Sequence, residues 1–210
     1  MTLQSPLAPT IPEYVALRTC ILSSACTFKD NRIDLGTEPT GAINRVLKFT
    51  AVGPTPGMIT SKSSIESTIG YFAAGDDLWF QARYFFTDAF PYSIADFESQ
   101  WFDLSPGPRI VFDNGVLAIE NKFGSKQKYR QTNPAPVPKN QWVTIKVHFK
   151  FEPTTGAFEL WQDGNKILST LGPTLPLSIA IQTNIEVGIT STDSACVLFM
   201  DDLRISKNSF

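Results

Sequence analysis

The residue types that carry out catalysis are sparse in this chain: one histidine and three cysteines among 210 residues. His148, the natural choice for a general base, lies between Lys146 and Lys150 in a run that alternates strictly. Val143, Ile145, Val147, Phe149 and Phe151 form the other side. That placement predicts a solvent-facing ring on the outer surface of a sheet. Trp79, Gln81 and Arg83 oppose a stripe of Leu78, Phe80, Ala82, Tyr84 and Phe86. A tryptophan that stacks on a flat ligand, with Arg and Gln donating hydrogen bonds, makes a groove wall; an outer face half covered by a loop accounts for the same residues equally well. Tyr71, Tyr84, Tyr92 and Tyr129 leave a displaced acid or base open. Tyr129, with Lys126, Lys128 and Arg130, reads first as part of a basic surface loop.

Cys20, Cys26 and Cys196 form no CxxC and have one histidine to join them, which excludes a zinc pattern. A short bridge between Cys20 and Cys26, or three small buried thiols, are both open, and the second is preferred.

Strands must position these groups. Period-two alternation with β-branched and aromatic residues marks one-sided strands at 45–52, 78–86 and 143–151. Further strands are expected at 59–72, 97–104, 109–112, 116–121, 179–190 and 195–206. Asp113-Asn-Gly115 and Asp163-Gly164 are tight hairpin turns, because their glycines accept positive φ. Residues 1–41 form a proline-containing lead-in and first elements of the same domain, with a short helix competing with a strand at 15–28. Residues 42–210 carry the all-β signal, and 122–140 is a polar loop. Strand runs at this spacing, with no helical period between them, imply an antiparallel β-sandwich or jelly roll in one domain.

Composition narrows the function classes. Apolar residues make up 42% of the chain and charged ones 18%, so a core forms readily; sixteen Phe and four Trp exceed what a plain core needs. A net charge of −2 without a basic cluster excludes nucleic acid as the expected partner. No apolar run is long enough for a membrane helix, and the first residues lack the basic and apolar regions of a signal peptide.

The pattern Trp142-x-x-Ile-Lys-Val-x-Phe149, then Gly156-x-Phe-x-Leu-Trp-x-Asp-Gly164, Val187-Gly-Ile189 and Phe199-Met-Asp-Asp-Leu-Arg-Ile205 resembles a concanavalin A-like lectin/glucanase sandwich. It is most similar to polysaccharide lyases of the glucuronan, alginate and heparin lyase type. The resemblance implies a concave ligand face and lets three catalytic strands be compared. The Arg-Ser/Thr-Glu-Leu-Arg strand falls on Ser64–Thr68 and keeps Glu66 alone. The Gln-Ile/Val-His strand falls on Gln100-Trp101-Phe102 and keeps the glutamine. The Tyr-Phe-Lys-Ala-Gly-Val/Ile-Tyr strand falls on Asn184–Thr190 and loses both tyrosines and the lysine. β-Elimination needs a neutralised uronate carboxylate, a base and an acid for the leaving oxygen, and the matched positions do not supply them.

The resemblance therefore implies Glu66, Gln100 and Glu186 as the remaining candidates for acid–base work. Glu98, Phe102, Asn184 and Thr190 join Trp79, Gln81 and Arg83 as ligand-binding candidates. It also raises a structural calcium, with Asp202 the candidate ligand beside Asp201. Three functions are expected in order: a saccharide-binding domain; an enzyme reusing the cleft for a small, partly apolar molecule in a cyclisation or isomerisation; and an active uronate lyase.

Overall fold

The computed structural model describes residues 31–54, 60–98 and 106–210, together with Thr19 and Ser23. Thirteen strands follow in chain order: β1 Arg32–Thr37, β2 Arg45–Ala51, β3 Ser61–Phe72, β4 Asp77–Phe86, β5 Ser93–Glu98, β6 Pro106–Asp113, β7 Val116–Asn121, β8 Lys128–Tyr129, β9 Trp142–Lys150, β10 Gly156–Gln162, β11 Asn165–Gly172, β12 Gln182–Thr192 and β13 Cys196–Ser206. They form two antiparallel sheets, ordered β1-β2-β13-β4-β9-β10-β11 and β3-β12-β5-β6-β7-β8. Repeated crossing between sheets, as from β2 to β3 to β4 to β5, makes this a jelly-roll sandwich.

Alternation explains the packing. On β9, Val143, Ile145, Val147 and Phe149 are fully buried, and on β4 so are Leu78, Phe80, Ala82, Tyr84 and Phe86. Their partners across the core come from the second sheet: Ile94, Phe97, Ile110, Leu117, Ile119, Ile185, Val187 and Ile189. Phe80 meets Phe97 edge-on at 5.6 Å, and Phe97 meets Phe149 at 4.9 Å, so aromatic contacts join the sheets at the centre. Both predicted tight turns form. Asn114 and Gly115 have φ of 55° and 79°, and Asp163 and Gly164 of 49° and 79°, the left-handed pairs that match strand twist.

The difference from expectation lies at β5. It runs Ser93–Glu98 and so starts before the 97–104 strand that the sequence suggests, of which 99–104 lie outside the described residues. Ser93 through Phe97 are all buried, so the burial of this strand carries no alternation. Gln100 and Phe102 lie outside the described residues, as do Cys20 and Cys26. Cys196 is a free, buried thiol.

Candidate functional site

Each strand of the second sheet contributes one charged residue to a single row on its outer face. The register places Glu66 opposite Glu186, Glu186 opposite Asp96, Asp96 opposite Arg109, Arg109 opposite Glu120, and Glu120 opposite Lys128. The row follows from the alternation that builds the core: Ile65, Val187, Ala95, Ile110 and Ile119 occupy neighbouring positions directed inward. Three facing carboxylates in a sheet repel one another, so cations must compensate.

Two lysines do so. Lys62 Nζ lies 3.2 and 3.1 Å from the two carboxylate oxygens of Glu186, and the Ser64 hydroxyl donates to Glu186 Oε1 at 2.5 Å. Lys122 donates to Asp96 Oδ2 at 2.8 Å and also to Glu98. The Thr190 hydroxyl donates to Asp96 Oδ1 at 2.8 Å, and Asn184 Nδ2 to Glu66 Oε1 at 2.9 Å. Asp96, Glu98 and Glu186 each present an oxygen within 4.8 Å of the others. The lysine ammonium groups already satisfy them.

At the other end of the row, Glu120 accepts from Arg109 Nε at 3.0 Å, Arg109 Nη2 at 2.5 Å and the Tyr92 hydroxyl at 2.5 Å. Arg109 and Lys128 also lie over the Tyr92 ring, at 4.8 and 5.3 Å from its centroid. Burial, and then the Glu120 carboxylate, push the Tyr92 phenol up to about 12. At neutral pH it therefore holds its proton as a donor.

Five of the sequence candidates thus share one surface: Glu66, Glu98, Asn184, Glu186 and Thr190. Trp79, Gln81 and Arg83 do not. They stand on the outer face of the first sheet, because their strand-mates Leu78, Phe80 and Ala82 fill the core beneath. Trp79 stacks on His148 at 4.1 Å and 12°, with Lys146 over its ring at 4.8 Å, so neighbours occupy the ring that was expected to stack on a ligand.

His148 lies on that same outer face, as its position predicts, but its ring is only 12% exposed and is covered by its neighbours instead of facing solvent. Its Nε2 and Nδ1 are each 2.7 Å from a carboxylate oxygen, of Asp77 and Glu159 respectively. Burial would raise Asp77, but hydrogen bonds from His148 and Lys150 outweigh it and hold that carboxyl below its usual value. In Glu159 burial is likewise outweighed, by Lys166 and His148. Of the four tyrosines left open, Tyr92 hydrogen-bonds into the row. Tyr84 is sealed in the core, Tyr129 stacks on Phe158 at 4.3 Å, and Tyr71 is exposed.

Asp202, the residue the sequence offers for calcium, stands beside Arg83. Its half-exposed carboxylate pairs with Arg83 Nη1 at 3.2 Å on a strand whose register shifts there, while Asp201 accepts from Asn44. Among the described residues the carboxylate group of ligating geometry is Asp96, Glu98 and Glu186.

Sequence reasoning missed Asp96, Arg109, Lys122 and Glu120. The Asn114-Gly115 turn contains the signal for one pair, since a two-residue hairpin loop fixes Arg109 opposite Glu120.

Against known proteins, the family model described as polysaccharide lyase matches residues 26–204. No curated protein matches the chain by sequence. Among solved structures, an endo-β-1,4-glucuronan lyase from the fungus Trichoderma reesei aligns with TM-score 0.64 and 16% identity, covering 82% of this chain and 85% of that one. The cellulose-induced protein Cip1 aligns with TM-score 0.60 and 14% identity over 84% of each chain. A family 7 alginate lyase in complex with its substrate aligns with TM-score 0.53 and 12% identity over 77% of each. At these identities the likeness shows the fold.

Proposed function

From the premise that this chain belongs to the polysaccharide lyase family, we propose that it binds a saccharide on the outer face of the second sheet and does not catalyse β-elimination there. The observation that carries this reading is the charged row from Glu66 to Lys128. Its donors and acceptors are oriented by one another before any ligand arrives. Vicinal hydroxyls of a sugar find charge-assisted partners in such a row, and pre-ordered side chains lose little entropy on binding. The alginate lyase among the structural matches was solved with its substrate bound, which supports the choice of ligand class.

The same row argues against uronate elimination. Glu66, Glu186 and Asp96 stand side by side where an anionic sugar would have to approach. The chain's one histidine belongs to the first sheet, and Tyr92 is held protonated by burial and by Glu120. The position where the lyase resemblance has a lysine carries Glu186. Apolar walls suited to a cyclase or isomerase are not a feature of the described part of this face, and Phe102, expected to supply one, lies outside it.

Calorimetric titration with neutral and uronate oligosaccharides of equal length tests the proposal. A neutral oligosaccharide should bind, with affinity falling about tenfold in Glu186→Gln and in Asn184→Ala, as expected for loss of one hydrogen bond to a charged group. Unchanged affinity in both variants overturns the site. Unsaturated uronate product, detected by its ultraviolet absorbance, overturns the non-catalytic reading.

A further inference from the structure

The Glu120 carboxylate is the meeting point of three elements. Tyr92, just before β5, donates its phenol; Arg109 on β6 donates two N–H groups; and Lys128 on β8 brings its ammonium within 3.9 Å of Oε2. The glutamate side chain is 8% exposed, and those of Arg109 and Lys128 are 19% and 17% exposed. With Glu120 set aside, the remaining groups form a carboxylate receptor. A planar guanidinium fork, a point cation and a phenol donor converge on one anion, and both cations are steadied over the Tyr92 ring. A neutral ligand would not require two cations here. The chain supplies the anion itself.

We propose that Glu120 is an internal anion occupying a carboxylate-binding site formed by Tyr92, Arg109 and Lys128, and that it thereby sets the face against uronic acid residues. The second half of this statement rests on the saccharide reading above; the first half stands on the geometry of the cluster. A sugar carboxylate approaching Arg109 and Lys128 must displace Glu120, which is tethered to its own strand and acts at a very high effective concentration. Displacement would leave a buried, unpaired carboxylate, a severe penalty. A neutral sugar meets no such competition, because it can hydrogen-bond to the outward edges of the pairs while leaving them intact. Glu120 is thus a specificity-determining residue that acts by occupation.

Removing the internal anion should open the site to an external one. Glu120→Ala is titrated with sodium acetate and sodium glucuronate against equal sodium chloride and equal glucose, followed by thermal unfolding. Both organic anions should raise the melting temperature of the variant by roughly 2–4 °C at concentrations a few-fold above their dissociation constants, and leave the wild-type protein unmoved. Equal stabilisation of the wild type, or no response of a folded Glu120→Ala to either anion, overturns the proposal. Should Glu120→Ala fail to fold, Glu120→Gln is titrated with glucuronate oligosaccharide, and the expected result is measurable binding that the wild type lacks; no gain overturns it. Anion rescue is read without any saccharide binding by the wild type, so failure of the proposal and failure of the saccharide reading separate cleanly. A wild type that binds neutral sugars while Glu120→Ala ignores both anions sinks only the proposal. A wild type that binds no sugar while the variant is rescued sinks only the saccharide reading and confines the inference to the anion site.

Discussion

The outer faces of the two sheets carry similar residue types and use them in opposite ways. On the first sheet, cations rest on rings: Lys146 over Trp79 and Trp161, Arg83 over Trp142, and Lys166 over Trp161. The carboxylates of Asp77 and Glu159 there are only partly buried, 36% and 20% exposed. On the second sheet, cations rest mainly on carboxylates, and Asp96 is 3% exposed with Lys122 and Thr190 on it. Aromatic covering with mobile cations is an inexpensive way to finish a sheet surface. Lining up near-buried carboxylates is a costly one. A function is to be sought where the fold keeps the costly arrangement, and an aromatic-rich face is a weaker pointer than composition alone suggests.

Breaking one ion pair on each face measures this contrast. Lys122→Ala strands Asp96 and Glu98 beside Glu186, and should destabilise by about 3–5 kcal/mol, read as a drop in the urea midpoint. Lys150→Ala on the first sheet removes a pair to Asp77 that is more than a third exposed on both sides, and should cost no more than about 1 kcal/mol. Comparable losses would dissolve the distinction between the faces.

The intermediate case is His148, which links β4, β9 and β10 through Asp77 and Glu159. His148→Phe keeps the stack on Trp79 and gives up both hydrogen bonds, at a cost of about 1–3 kcal/mol in the same assay. The two carboxyls also set a pH dependence. Their folded values lie below the ordinary values of aspartate and glutamate, so the stability they contribute is complete above the unfolded values and disappears as pH falls through the folded ones. Urea midpoints measured from pH 6 down to about 2 should decline below about pH 4.5, and decline less in His148→Phe. An identical pH profile in the variant would mean that the linkage lies elsewhere, for example in Asp76 or Asp113, whose carboxyls are also lowered, by a backbone hydrogen bond from Ala73 and by Arg130 respectively.

Arg83→Ala should give the smallest effect. It loses contact with Trp142, an exposed pair with Asp202 and a long one, at 3.8 Å, with Glu38, about 1 kcal/mol, and should leave saccharide affinity unchanged. A tenfold loss of affinity there would return the ligand site to the first sheet.

The sandwich was legible because core strands announce themselves by alternation, as β4 and β9 do. So was half of β12, where Ile185, Val187 and Ile189 imply that Asn184, Glu186 and Thr190 face outward. The acidic centre was not, for two physical reasons. β5 is buried almost throughout, so no alternation marked its start at Ser93, and Asp96 was hidden. Lys122 follows the end of β7 and reaches across the face to β5, a contact that no local period encodes. Trp79 stayed open because a tryptophan on a polar stripe fits either sheet equally well, and only pairing with β9 and β13 decides which.

Gly188 stands between Glu186 and Thr190 with φ of 114°, and a Cβ there would meet the Phe49 ring at 2.5 Å. This arrangement divides the evolutionary freedom of the strand. A substitution at Asn184, Glu186 or Thr190 disturbs the hydrogen bonds of the row and leaves the interior packing alone. Gly188 admits no such substitution, since any side chain there requires a simultaneous change at Phe49 and a backbone that L-residues rarely adopt. The outward side of β12 can therefore change one residue at a time, whereas the press of β12 against β2 cannot.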